Sequence, residues 1–205
     1  MGKYYKGSVG KTISYKLNGR LVERRVGVNT TATSPAQLAH RTKLKIINAF
    51  LGPIEGFIEF GFALEGKVMG MNAHNAFTSY SYYNCVKGEY PFQEMDFPKV
   101  MLSMGILPLP DDLAVSAENH QIAFSWDPQL LSDDMRWSDH AMLMAYCPEK
   151  KSAHYLINGP VRKLGSGSID VPRYRNAVTY HLYIGFISDD HKQISDSTYL
   201  GILQM

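Results

Sequence analysis

Thr179-Tyr180-His181-Leu182-Tyr183-Ile184-Gly185-Phe186-Ile187 is a run of aromatic, aliphatic and small residues without proline or formal charge. Such a run reads as a β-strand, with Leu182 and Ile184 facing a core and His181 facing outward. On either side of it, six further short runs stand between turn clusters, at 113–117, 121–126, 141–146, 153–157, 168–171 and 198–203. Seven strands within roughly 95 residues is the spacing of a two-sheet β-sandwich. Pro108-Leu109-Pro110 precedes the first of them and marks the expected boundary.

The expected fold class is therefore α+β. Residues 1–107 would form a β-hairpin and helical module, and residues 108–205 an immunoglobulin-like β-sandwich. In the first part, Val9, Ile13, Tyr15 and Leu17 stand among small and polar residues and lead to Asn18-Gly19, a strong two-residue turn signal. A turn there pairs Leu17 with Arg20, Tyr15 with Val22 and Ile13 with Arg24, placing Ile13, Tyr15, Leu17 and Val22 on one face. Lys16 and Arg25 fall on the other. A hairpin this small needs something to dock on. After a polar connector at 29–33, Ser34-Pro35-Ala36-Gln37 carries an N-cap residue, a proline for the first turn and the capping-box glutamine. The helix it opens should end near Leu51, before Gly52-Pro53. A short helical stretch around Ile54 to Phe62 and a helix at 72–85 follow. From 90 to 107 the pattern is extended, with Val100, Leu102 and Met104 alternating.

Hydrophobic residues make up 45% of the 205 and charged residues 20%, a composition that folds. The formal charge of +2 conceals a polarity. Residues 1–45 hold ten basic side chains and one acid, a surplus of nine, and the other 160 residues carry a net −7. Opposed fields on one chain point to partners or neighbouring copies. Two cysteines far apart, Cys85 and Cys147, imply neither a disulfide scaffold nor a cysteine zinc site, although one long-range bridge stays open. The N-terminus lacks the apolar core of a signal peptide, about 7–15 residues, and nothing approaches the ~20 apolar residues of a membrane span. A cytoplasmic location is expected, with release by a non-classical route as the alternative.

Two resemblances add to this reading. Ile122-Ala123-Phe124-Ser125-Trp126 and the strand at 179–186 make the C-terminal half resemble a fibronectin type III domain, with Trp126 as the core residue of the second strand. Across nearly its whole length the chain also resembles an uncharacterised family of roughly two-hundred-residue Bacteroidota proteins, a domain of unknown function. The features that carry it are Gly7-Ser8-Val9-Gly10, Asn18-Gly19, Arg24-Arg25, Ser34-Pro35-Ala36-Gln37-Leu38, Asn75-Ala76-Phe77-Thr78-Ser79-Tyr80, Phe186-Ile187-Ser188-Asp189-Asp190 and Ser195-Asp196-Ser197-Thr198-Tyr199-Leu200-Gly201. Val28-Asn29-Thr30-Thr31 stands where that family has a proline-rich connector. The resemblance implies the domain plan and no activity.

No constellation of residues specifies a reaction. The seven histidines show no HxH, HxxxH or HExxH spacing. Ser138-Asp139-His140 holds three triad residue types, but consecutive residues on an extended segment point alternately and cannot converge. Paired aspartates at 111–112, 133–134 and 189–190 suit turns, and Glu55 and Glu59 stand one helical turn apart. Gly165-Ser166-Gly167-Ser168 reads as a hairpin turn. Phe77, Tyr80, Tyr82 and Tyr83 could offer a sugar-stacking face, with core or interface packing the simpler reading.

The expected function is thus non-catalytic, without cofactor or metal. It is that of a self-assembling structural or interaction protein, a subunit of a homo-oligomer, a filament or a phage-like or secreted assembly. Tyr4, Tyr5, Lys16, Arg20, Arg24 and Arg25 are the expected interface residues, with another copy of the chain as partner. Another protein is a second possible partner. A ligand-binding or nucleic-acid-binding adaptor, using phosphate contacts and stacking, is the alternative.

Overall fold

The computed structural model describes residues 7–17, 19–27, 32–118, 120–130 and 132–205. Three strands, β1 (Gly7–Val9), β2 (Thr12–Leu17) and β3 (Arg20–Arg25), precede four helices. These are α1 (Pro35–Leu51), α2 (Glu55–Gly61), α3 (Ala63–Met69) and α4 (Ala73–Asn84). A small ladder of β4 (Val86–Lys87) and β5 (Glu94–Met95) follows. Seven strands complete the chain: β6 (Ala114–Glu118), β7 (Gln121–Ser125), β8 (His140–Cys147), β9 (Ser152–Leu156), β10 (Ser166–Asp170), β11 (Thr179–Ile187) and β12 (Thr198–Gln204).

The chain divides into two compact units between Pro35 and Ala36. The expected boundary at 107/108 lies inside the second unit, where residues on both sides of it pack into one core. Helix α1 keeps its expected span, and Pro53 turns the chain through a short 3-10 segment, Gly52–Ile54. Gly70, at φ +67°, ends α3 in the left-handed region. Asn72 then caps α4, its side-chain oxygen accepting from the Asn75 N–H at 2.8 Å.

The seven later strands form two antiparallel sheets, ordered β10-β7-β6 and β12-β11-β8-β9. Ile122, Phe124 and Trp126 on the smaller side share a core with Leu143, Ala145, Leu182, Ile184 and Phe186 of the larger sheet. Trp126 meets Phe186 edge to face at 5.4 Å, and its Nε1 donates to the Arg162 carbonyl at 2.8 Å. On the opposite face of the larger sheet, Met142, Met144, Tyr146 and Tyr183 pack with Ile47, Phe50, Leu51 and Phe57 from the helices. β8 and most of β11 are therefore buried on both faces, which is why their sequences run apolar without alternation.

That second layer corrects the expectation for His181. Its ring is half-buried, stacked on Phe97 at 3.9 Å, with Nδ1 2.9 Å from the Tyr199 hydroxyl. The expected extended run at 90–107 is broken by a 3-10 segment, Phe97–Lys99, and the stretch at 100–107, with bends at Leu102, Gly105 and Ile106, joins no ladder. Ser197 holds it instead, its Oγ accepting from the Leu102 N–H at 2.6 Å while Asp196 Oδ1 accepts from the Gly105 N–H at 3.0 Å. The glycine-rich run at 165–168 is not a hairpin turn. Gly165 ends a 3-10 segment, Arg162–Leu164, and Ser166 opens β10. Gly167 sits inside that strand because a Cβ there would lie 2.9 Å from Pro160 Cγ.

Burial holds His154 and His181 below the ordinary histidine value of 6.5. The folded state thus disfavours a proton that the unfolded chain accepts as pH falls through about 6.5. Stability that is present above that pH is lost progressively below it. Thermal melts should show a lower midpoint at pH 5 than at pH 7.5, with a smaller difference in His181→Gln. Equal midpoints at the two pH values would refute this.

Candidate interaction surface

In the β2–β3 ladder, Leu17 pairs with Arg20, Lys16 with Leu21, Tyr15 with Val22, Ser14 with Glu23, Ile13 with Arg24 and Thr12 with Arg25. This is the expected register, although Asn18 of the turn lies outside the described residues. The other end differs from expectation. Gly10, at φ +60°, lets the chain reverse before Thr12, so Val9 belongs to a third strand that pairs back on β2.

Directly paired residues share a face of an antiparallel ladder. Arg20 and Arg24 therefore stand on the face of Ile13, Tyr15, Leu17 and Val22, and Lys16 and Arg25 on the other, with Leu21. The Arg24 guanidinium lies over the Tyr15 ring at 5.9 Å, and Ser14 Oγ donates to Glu23 at 3.2 Å. Tyr4 and Tyr5, the other two expected interface residues, lie outside the described residues. Where side-chain burial is described in β2 and β3, no residue is buried, and Leu17 and Leu21 are 56% and 53% exposed. Among the described residues, Arg20, Arg24 and Arg25 engage no carboxylate. The arrangement joins apolar knobs to unneutralised guanidiniums, which suits contact with an acidic, partly apolar surface.

The other sequence candidates fall into different surroundings. Asp139 is buried and ion-paired with Arg162 (3.1 Å), and its Oδ2 also accepts from the Arg136 N–H at 2.9 Å. His140 has Nδ1 2.9 Å from the Gly159 carbonyl oxygen and Nε2 3.4 Å from Asp189, while Ser138 is exposed. Among the described residues no three of His, Cys, Asp and Glu gather as metal ligands would. Cys85 and Cys147 are separate buried thiols. Burial pushes Cys85 up to about 11 and raises Cys147, so neither is a thiolate at neutral pH. On α4, Phe77 is buried and Tyr80 and Tyr82 pack against the core, Tyr82 also meeting His40 at 2.8 Å. Tyr83 is exposed.

Arg162 is the residue that sequence reading passed over. It has no exposed surface, donates to Pro108 O at 3.0 Å and stands 4.2 Å over the Phe186 ring. Nothing in Val161-Arg162-Lys163-Leu164 distinguishes it from the exposed Lys163 beside it.

A family profile described as a family of unknown function (DUF6266) matches residues 4–201. The chain belongs to this family. No curated protein and no solved structure matches the chain. The matched span takes in the basic sheet and the later strands as far as Gly201 in β12, so the family reaches into both compact units. No single helix among the described residues is long and apolar enough to cross a membrane.

Proposed function

We propose that this chain is a non-catalytic structural protein that self-assembles through its basic N-terminal sheet. The observation that carries the reading is a three-stranded sheet in which no residue with described burial is buried. Short strands whose apolar face is only partly covered gain little from folding until something covers the rest. A second copy supplies the cover, because the rest of the chain carries the opposite charge. Contact between unlike patches is heterologous and generates rings or filaments. The later strands are read as a fibronectin type III-like sandwich that spaces or displays the sheet. Supporting this are the three-plus-four antiparallel arrangement and Trp126 in the shared core, directly after the second strand.

Light scattering and negative-stain microscopy test the proposal. The protein should form multi-subunit particles at low salt that dissociate as salt rises, since the contacts are screened charges. Arg24→Ala combined with Arg25→Ala should weaken association about tenfold. A monomer at every concentration and salt would overturn the proposal. The adaptor reading would take its place if the protein instead shifted nucleic acid in a gel and the same double variant abolished the shift.

A further inference from the structure

We infer that the groove between α2 and the start of α4 receives the Leu17–Arg20 end of the basic sheet from a second copy of this chain. The inference rests on the self-assembly reading above and names the acidic counterpart that reading requires. The groove encloses about 250 Å³ and is lined by Leu51 and Ile58 at its buried side, with Ala73 and His74 from α4. Its rim carries Glu55 and Glu59, both exposed and one turn apart on α2, where like charges repel each other. Among the described residues no cation pairs with either. Beside them the Asn72 side-chain oxygen accepts from the Asn75 N–H at the start of α4, at 2.8 Å.

The sheet presents the complementary pair. Leu17 and Arg20 are the last register partners of the β2–β3 ladder and lie on the same face. Their Cβ atoms are then about 5 Å apart, an apolar knob beside a guanidinium. Leu17, more than half exposed, fits a groove of this size with an apolar floor. Arg20 then stands between Glu55 and Glu59 and relieves their mutual repulsion, a geometry that a planar five-donor cation meets better than lysine. The groove and the sheet are different surfaces, so each copy offers one of each and the contact propagates head to tail.

A charge-swap experiment tests this by analytical ultracentrifugation. Arg20→Glu alone and Glu55→Arg plus Glu59→Arg alone should each weaken self-association at least tenfold. Mixed in equal amounts, the two variants should associate again, to within about threefold of the original protein, because the carboxylate introduced in one now meets the guanidinium pair introduced in the other. Circular dichroism melts verify that each variant is folded. If the arginine pair unfolds the helices, Glu55→Gln plus Glu59→Gln should still weaken association. If Arg20→Glu weakens association while the groove variants do not and mixing restores nothing, the groove assignment is overturned and assembly through the sheet stands. If none of the variants changes the association of an assembling protein, or the original protein is monomeric, the reading through the sheet falls as well.

Discussion

Gly61→Ala is expected to lower the melting temperature by about 6–12 °C, a loss on the order of 3 kcal/mol. Gly61 is the last residue of α2 and is buried. A Cβ there would overlap the Leu102 carbonyl oxygen, with Leu102 C at 3.0 Å and Ser103 Cα at 3.2 Å. All three are backbone atoms, so no side-chain rotation makes room. The backbone is also pinned locally. Met104 N–H donates to Gly61 O at 3.1 Å, and Ser197 Oγ accepts from Leu102 N–H at 2.6 Å. Alanine would therefore push the 100–107 segment off the helix and break several bonds together. Helix propensity alone argues for the opposite sign, since alanine in a helix is favoured over glycine by up to about 1 kcal/mol. Gly52→Ala, where a Cβ meets nothing within 4 Å, should stay within about 2 °C of the original protein. A neutral or stabilised Gly61→Ala in differential scanning calorimetry would show that the segment does not lie against α2.

Arg162→Met should destabilise the protein by about 3–5 kcal/mol, the penalty for leaving one member of a buried ion pair behind. The guanidinium donates to Asp139 at 3.1 Å and to Pro108 O at 3.0 Å. Without it, Asp139 would keep a carboxylate that is only 1% exposed. Its Oδ2 would have the Arg136 N–H as protein partner, and its Oδ1 already has none. Adding Asp139→Asn should recover a large part of the loss, because the amide oxygen still accepts from Arg136 while no charge is stranded. Chemical denaturation at pH 7.5 reads both effects. A single variant within 1 kcal/mol of the original protein would contradict the pairing, as would a double variant no better than the single.

Both predictions lie where reading along the chain was weakest. Local signals were legible. Turn chemistry and alternation located the seven later strands to within two residues at each end. Pro35 and Gly52-Pro53 bounded α1, and the register through Tyr15 and Val22 followed from the turn position. These features depend on neighbours a few residues away, where backbone sterics and hydrogen bonding act. The uninterrupted apolar run from Ala141 to Cys147 fits a strand covered on both faces, although the expected two-sheet sandwich covered only one. Such a run does not identify the elements that supply the second layer.

For the interaction surface, the charge polarity and the six expected interface residues came from the chain alone. The ladder register then added that Arg20 and Arg24 share a face with the apolar residues. Glu55 and Glu59 were visible as a pair one turn apart. Their place on the rim of an apolar groove was not, because Leu51 and Ala73 reach it from other helices.

The sequence by itself determined the seven later strands, the bounds of α1, the β2–β3 register and the opposed charges, the first three because they arise between residues close in the chain and the last because it is composition alone. Only the tertiary structure decided that α1 to α4 cover the outer face of the larger sheet, that Gly61 must lack a side chain, and that Arg162 is buried while Lys163 is not. Those outcomes depend on Leu102, Asp139 and Phe186, which are 23 or more residues from their partners in the chain. Packing between distant segments is set by the shape of the whole core, and no local pattern of residues encodes it.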